Sequence, residues 1–485
     1  MRLPQVVGIA CLLGAAIMPV AVQAQFTFIT NGDNTITITG YTGSGGGVTI
    51  PDTINGLWVT TIADGAFDYS VTQTNITIPD TVTNIGIFAF ANCVSLTAIT
   101  VDAGNSFFSS VAGVLFNQTQ TLLIQFPKSK TGGYAIPNTV TKIGDYAFYN
   151  KYVLNSVTIP NSVTSIGENA FGNSLLTAIV IPDSVTNIGG GAFGECIWLT
   201  NVMIGSSVAT IGETAFVDCH SLTNIEIPNS VTRIENDAFE NCSRLTSIII
   251  PDSVTNIGIA VLWGCASLTS AKLPNSLNNF GNFAFYDCYS LTNIMLPDNA
   301  TNIGDYAFND CQSLVNLIIP DSVTSIGYES FYGCSSLTNI TIPNSVSSIG
   351  DSAFAGCTSL VGIFFRGNAP DSVGSFVFDV GTNLTAYYLP GTTGWDDFTL
   401  LTGVPTALWL PAMLTTDGSF GVETNQFGFN ISWAGGQTVV VEACTNLANP
   451  VWQPVQTNTL TTGSAFFSDP QWTNYPGRFY RLRSP

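Results

Sequence analysis

The chain has 485 residues, of which 45% are hydrophobic and only 9% are charged. Its 32 acidic and 12 basic residues give a formal net charge of −20, which argues against nucleic acids and anionic membranes as partners. This composition is typical of a secreted β-rich protein whose surface carries Ser, Thr and Asn in place of Lys and Glu.

The first 24 residues have the pattern of a secretory signal peptide. Arg2 precedes an apolar run from Val6 to Val22, and Val22-Gln23-Ala24 is a typical cleavage sequence. No other apolar stretch of the sequence is long enough to span a bilayer. We therefore predict a signal peptide at residues 1–24 and a mature chain that is secreted or held at the cell surface.

Residues 25–49 alternate between apolar and polar side chains from Phe26 to Thr39 and then reach a glycine-rich turn at residues 43–47. Irregular strands at this position would cover the open end of a repeat array, as terminal elements of such arrays must. We predict that residues 25–49 form an N-terminal cap.

A 23-residue unit repeats through residues 50–375, and the copy from Ala238 to Ala260 shows it well. Apolar residues at fixed offsets within a fixed period indicate a solenoid, in which each coil buries its face against its neighbours. Gly205 takes the place of the proline in one copy. The prolines that mark the register in the regular part of the array are Pro137, Pro160, Pro182, Pro228, Pro251, Pro274, Pro297, Pro320 and Pro343.

Within one unit, the segment Leu-Thr-x-Ile-x-Ile predicts a strand that ends at proline, because β-branched residues alternate there. The Asp/Asn-Ser that follows is typical of a turn, and Val-Thr-x-Ile-Gly predicts a second, shorter strand. Ala-Phe-x-x-Cys has the spacing of a single helical turn. The predicted fold is a β-rich solenoid of parallel strands and short helical turns.

The repeat Ile-Pro-Asp/Asn-Ser-Val-Thr-x-Ile-Gly-x-x-Ala-Phe-x-x-Cys-x-x-Leu-Thr resembles the BspA-type, or treponemal-type, bacterial leucine-rich repeat. Departures are few: Ser70 and Lys151 replace the cysteine, and Leu262 replaces the phenylalanine. The resemblance implies a leucine-rich-repeat solenoid that acts as a secreted or surface-displayed binding module, in some members an adhesin. It implies no particular ligand.

After Cys357 the register decays, and residues 376–410 are predicted to be a C-terminal cap and linker. Residues 411–485 contain several short apolar segments separated by turn residues, which predict a small β-sandwich. Phe479 and Tyr480 are interpreted as core residues of a strand. The segment resembles C-terminal modules on secreted proteins of environmental bacteria, which implies a role in attachment or sorting.

Several columns of residues have both a chemical and a structural interpretation. The cysteines from Cys93 to Cys357 share one repeat position and could form disulfides or a metal ladder, but parallel side chains in one column favour buried thiols that pack between coils. Acidic residues after Ile-Gly, such as Asp145 and Asp305, and after Pro, such as Asp183, could bind calcium or could stabilise turns. We predict no metal or cofactor.

His220 follows Cys219 and could act as a base beside a thiol. It lies one position off an inward-facing column, however, so we expect it to face solvent. With only this histidine and unpaired acids available for catalysis, we predict that the protein is not an enzyme.

The most informative column lies on the strand, between its two inward-facing aliphatic residues. Contiguous exposed apolar side chains usually mark a partner site, although strand propensity or a covering loop could also explain them. We predict a monomeric protein that binds a protein ligand through this face. The predicted binding residues are Val180, Met203, Glu226, Ile249, Lys272, Met295, Ile318 and Phe364, and Thr158 and Thr341 occupy the same column.

A second hypothesis is carbohydrate binding. A column of hydroxyl groups flanks the strand column, and such groups could hydrogen-bond a glycan or could satisfy one another. Tyr306, Tyr328 and Tyr332 could add exposed aromatic rings. The hydroxyl column comprises Thr200, Thr223, Thr246, Thr269 and Thr292, with Asn201, Asn224 and Asn293 beside it.

Overall fold

The computed structural model describes residues 25–277, 281–380, 383–423 and 426–484, so the predicted signal peptide lies outside the described residues. The chain divides into two compact units, Met1–His220 and Ser221–Pro485. Among the described residues, no helix is both long and apolar enough to cross a membrane.

The first unit begins with irregular strands. Phe26–Thr30 pairs antiparallel with Ile36–Tyr41, which in turn runs parallel to Leu57–Ile62. Phe26 and Ile36 are buried in one core cluster with Phe67 of the first coil. The residues predicted to form a cap therefore form strands that pack on the first coils.

Parallel strands then stack coil upon coil in two rows. The strands that end near the proline are Gly46–Thr49, Gln73–Ile78, Ala98–Val101, Gly132–Ala135, Leu154–Thr158, Ala178–Val180 and Asn201–Met203. The shorter strands on the second row are Asn84–Ile85, Lys142–Ile143, Ser165–Ile166, Asn187–Ile188 and Thr210–Ile211. The irregular segments contain Thr53–Ile54, Phe108–Val111, Val114–Asn117 and Leu122–Gln125.

The second unit repeats the same two rows. The strands on its main face are Asn224–Ile225, Ser247–Ile249, Ser270–Lys272, Asn293–Met295, Asn316–Ile318, Asn339–Ile342, Gly362–Phe365, Thr385–Tyr388 and Thr406–Leu408. The shorter strands are Arg233–Ile234, Asn256–Ile257, Asn302–Ile303, Ser325–Ile326, Ser348–Ile349 and Ser372–Val373. Helix Trp395–Thr402 lies between the last two main-face strands, within the predicted cap and linker.

Identical side chains stack inside each unit and form its core. The rings of Phe171 and Phe193 are 5.2 Å apart in the first unit, and those of Phe308 and Phe331 are 5.4 Å apart in the second, in both cases nearly parallel. Fixed offsets in the sequence therefore become continuous buried columns. The predicted β-solenoid of parallel strands is confirmed.

The segment predicted as a helical turn consists of three overlapping turns, the middle one closed by the amide of Asn309 and the carbonyl of Tyr306 (3.2 Å). The amide of Ala307 donates to the carbonyl of Gly304 (3.3 Å), and the amide of Cys311 donates to that of Phe308 (3.1 Å). Asp310, with a φ of 55°, adopts the left-handed conformation. A left-handed residue prevents the turn from propagating into a helix.

The strands between Ala412 and Arg483 form two antiparallel sheets. One contains Ala412–Leu414, Gly421–Glu423, Gln426–Ser432 and Ser464–Asp469, and the other contains Gln437–Cys444, Gln453–Leu460 and Phe479–Arg483; a 3₁₀ turn spans Trp472–Asn474. Phe429 and Phe467 of the first sheet share a core with Val439 and Val441 of the second. The predicted small β-domain is therefore confirmed.

The adjacent residues Phe479 and Tyr480 have different environments. Tyr480 packs on the core, with its ring 5.1 Å from that of Phe427. Phe479 is exposed, so its assignment to the core was wrong. Successive residues of a strand point to opposite faces of the sheet, and only one of them can face the core.

Candidate functional site

An exposed row of side chains runs along the main face of the second unit. Ile249 pairs in register with Lys272, Lys272 with Met295, and Met295 with Ile318. We call these four residues the sheet stripe. Ile249, Met295 and Ile318 are 62%, 80% and 81% exposed, and Lys272 is also exposed. Three large apolar side chains therefore lie within one row, with a single cation between the first two.

Glu226 follows the strand Asn224–Ile225 and is exposed. It lines a groove of 430 Å³ together with Ile249, Pro228 and Pro251. A shallow recess that contains the acidic side chain of Glu226 therefore lies beside Ile249, at the N-terminal end of the stripe.

Phe364 differs from the residues of the sheet stripe although it belongs to the same column. Its ring stacks on that of Tyr387 at 4.9 Å and contacts the ring of Trp409 at 4.9 Å. Phe364 is therefore only partly exposed, and the exposed row ends before it.

Val180 and Met203, the predicted binding residues of the first unit, pair in register on adjacent coils. They are 57% and 60% exposed. Within each unit, the structure thus brings the predicted residues together on neighbouring strands.

A cleft at the C-terminal end of the stripe contains residues that the repeat pattern did not point to. It has a volume of 350 Å³, and its walls include Ile318 and Thr341 from the sheet, Arg366, and the two tryptophans Trp409 and Trp433. Trp409 and Trp433 lie outside the repeat, so the period of the sequence carries no signal for them.

The cysteines are structural. All ten cysteines in the described part of the chain are buried, and none forms a disulfide. The Cys311 thiol donates to the carbonyl of Phe285 (3.2 Å) in the preceding coil, and the Cys334 thiol to that of Phe308 (3.2 Å). Burial raises the pKa of Cys265 to about 12, which disfavours the reactive thiolate. The prediction of buried thiols that pack between coils is confirmed.

The acidic columns also connect successive coils. The Asp305 carboxylate accepts the amide N–H of Tyr328 (2.9 Å), and Asp183 accepts both the N–H (2.7 Å) and the hydroxyl (3.0 Å) of Ser206. These hydrogen bonds lower the pKa of Asp183. Within the residues that the structure describes, no three His, Cys, Asp or Glu side chains converge as a metal site. The contacts favour the turn-stabilising interpretation.

The threonine column proposed for glycan binding forms a ladder of its own. The hydroxyl of Thr269 donates to the carbonyl of Thr246 (3.0 Å), and that of Thr292 donates to the carbonyl of Thr269 (3.3 Å). Thr200 and Thr246 donate in the same way. Because these four hydroxyl hydrogens are used between coils, the four groups keep only acceptor capacity for a ligand.

The tyrosines proposed for glycan binding are largely engaged with one another. The ring of Tyr306 stacks on Phe283 at 4.6 Å and meets the ring of Tyr328 at 5.1 Å. Tyr306 lies between these two rings and offers a sugar little of either face, whereas Tyr328 is partly open to solvent. Tyr332 is exposed.

His220 is exposed, as predicted. The neighbouring Cys219 thiol is buried and donates to the carbonyl of Phe193 (3.2 Å), and burial raises its pKa. A thiol held in this way is a poor nucleophile. The geometry gives no support to a His–Cys dyad.

Comparisons with known proteins agree with this architecture. A family model described as "BspA type Leucine rich repeat region (6 copies)" matches residues 60–134, 125–246, 209–334 and 278–394. No curated protein matches the chain.

Two solved structures are similar to the chain. A leucine-rich repeat protein from Bacteroides ovatus is 27% identical, with a TM-score of 0.51, over 79% of this chain and 98% of that one. A leucine-rich cell surface protein from Faecalibacterium prausnitzii is 30% identical, with a TM-score of 0.42, over 71% of this chain and 94% of that one. With a family match that covers most of its length, the chain belongs to the BspA-type leucine-rich repeat family.

Proposed function

We propose that this chain is a non-catalytic binding protein, secreted or displayed at the cell surface, whose sheet stripe engages a protein partner. The observation that carries the proposal is the exposure of Met295 and Ile318, 80% and 81%, in directly adjacent coils. An apolar row of this kind is stabilised when a partner removes it from water.

The residue types in the column favour binding over strand propensity alone. Two of the chain's five methionines, Met203 and Met295, occupy this column. Methionine is not β-branched and is not among the residues enriched in strands, whereas it is enriched at binding surfaces, where its flexible thioether adapts to a partner. The apolar character of the row also favours a protein over a glycan.

A triple variant tests the stripe. Changing Ile249, Met295 and Ile318 to Thr places a β-branched residue at each of the three strand positions but removes most of the apolar surface. We expect at least a tenfold loss of partner retention, since each buried aliphatic side chain contributes about 1.5–3 kcal/mol. The measurement is a pull-down from cell-envelope and culture-medium fractions with the purified protein.

The matched control changes three exposed apolar residues away from the stripe, Leu400, Leu401 and Val451, to Thr. This variant should retain partners as the parent does. If the stripe variant also retains every partner, the row of apolar side chains is not the binding site.

The proposed localisation rests on the sequence pattern of residues 1–24 and on the family. We expect the chain to be recovered from the culture medium or the cell envelope with Gln25 as its first residue. N-terminal sequencing checks this, and an intact Met1 in a cytoplasmic fraction would contradict it.

A further inference from the structure

The cleft at the end of the stripe combines features suited to an acidic peptide segment. Among the residues that line it, Arg366 carries the sole charge, in a chain with 32 acids and 12 bases. The other lining residues are aliphatic, aromatic, hydroxyl-bearing or glycine, including Ile318, Thr341, Trp433 and Gly435. An acidic side chain would therefore meet one cation and no carboxylate among the lining residues, although Asp321 beside the cleft already accepts a hydrogen bond from that cation.

The walls of the cleft are fixed by contacts that do not require a ligand. The indole N–H of Trp433 donates to the carbonyl of Trp409 (2.8 Å), and the amide of Trp433 donates to the carbonyl of Gly463 (3.0 Å). On the other side, Trp409 packs against Phe364. The small β-domain and the sheet thus hold the two tryptophans in place, so a ligand need not order them.

Arg366 has unused binding capacity. Its Nη1 donates to the carboxylate of Asp321 (3.1 Å), but Asp321 is exposed, so this pair is weak. The buried Nε–H has no hydrogen-bond partner among the described residues. Gly435 packs close to the guanidinium, since a Cβ built on it would lie 3.1 Å from Nη2.

We propose that this cleft binds an Asp or Glu side chain from an extended segment of the protein partner, with apolar side chains beside it lying on Trp409 and Ile318. The inference rests on the proposed function and specifies the partner's chemistry at one end of the stripe. Because Nε is buried, the ligand carboxylate would accept from the Nη1 and Nη2 groups and displace the exposed Asp321 from Nη1. Lysine has no such pair of parallel N–H groups.

A random peptide display library, selected on the purified full-length protein, tests the proposal. We expect the selected peptides to carry an acid next to an aliphatic or aromatic residue. In a synthetic copy of a selected peptide, changing this acid to its amide should weaken binding to the parent about tenfold or more. The same change should have little effect on binding to the Arg366→Gln variant, whereas Arg366→Lys should recover only part of the affinity.

Other outcomes separate this inference from the proposed function. Selection of peptides without acids, or an equal effect of the amide change on the parent and on Arg366→Gln, would overturn the acidic-peptide site. If such peptides still lose affinity for the Ile249, Met295 and Ile318 triple variant, the stripe remains the binding surface. Failure of the library to yield any binder would also count against the cleft, while the pull-down would still test the stripe by itself.

Discussion

Replacing Lys151 with Met is expected to increase the free energy of unfolding of the first unit by about 4 kcal/mol at pH 7. Lys151 occupies a cysteine position of the repeat, and its side chain is 0% exposed. The amine has no hydrogen-bond partner among the described residues. A buried amine without a partner is destabilising in either protonation state.

The expected gain follows from the pKa of the amine. The pKa of Lys151 falls from 10.5 to about 7, chiefly because the amine is buried and also because of the positive charge of Lys128, while Cys93 acts in the opposite direction. In the unfolded chain the amine keeps its ordinary pKa. At pH 7 the folded protein must therefore either bury a charge or release a proton that the unfolded chain would hold, and both are unfavourable.

The advantage of the variant should depend on pH. Between pH 7 and pH 10.5 the unfolded state binds a proton that the folded state has lost, so the parent becomes more stable as the pH rises. Below pH 7 both states are protonated and the folded state carries the full penalty. The difference between Lys151→Met and the parent should therefore shrink by about 3 kcal/mol from pH 7 to pH 10.

Urea unfolding followed by circular dichroism at the two pH values measures this difference. Lys142→Met is the control, because Lys142 is an exposed lysine in the same unit. Its unfolding should match that of the parent at both values. An unchanged urea midpoint for Lys151→Met, with no dependence on pH, would mean that the amine is solvated or paired.

The repeat period was sufficient to predict the solenoid and the direction of most side chains. Ile248 and Ile250 are buried while Ile249 between them is exposed, because alternate residues of a strand face opposite sides. The same alternation identified Met295 and Ile318 as outward-facing. In a solenoid each coil contacts its neighbours in the same way, so a local pattern determines the packing.

Features that depend on contacts outside the repeat could not be predicted in this way. The column pattern predicts that Phe364 is as exposed as Ile318. In the structure, however, Trp409 covers part of Phe364. The cleft requires Trp433, which reaches it only through the folding of the small β-domain. No period in the sequence relates these residues.

Single departures from the repeat were visible, but their consequences were not. Lys151 was recognised as a substitution at the cysteine position, but only the structure shows that its buried amine has no hydrogen-bond partner among the described residues. Asp310 follows the general turn chemistry of acidic residues, but its left-handed conformation appears only in the structure.

Changing Asp469 to Ala is expected to destabilise the small β-domain by about 3–5 kcal/mol, because it leaves a buried guanidinium without its carboxylate. The side chains of Asp469 and Arg478 are 6% and 10% exposed, and Oδ2 of Asp469 lies 2.9 Å from Nε of Arg478. The same carboxylate accepts the hydroxyl of Tyr480 (2.9 Å) and the amide of Gln471 (2.8 Å).

Hydrogen exchange measured by mass spectrometry localises this effect. A loss of about 3 kcal/mol corresponds to roughly 100-fold faster exchange in the strand Gln426–Ser432, while the coil strand Asn293–Met295 should keep its protection. Glu423→Ala is the control, since Glu423 is exposed in the same domain and its loss should leave this exchange close to that of the parent. Equal protection in the two variants would mean that Arg478 finds solvent or another acceptor once Asp469 is removed. Faster exchange in the coils as well would show that the small β-domain stabilises the repeats beside it, and that the cleft cannot be altered without affecting the stripe.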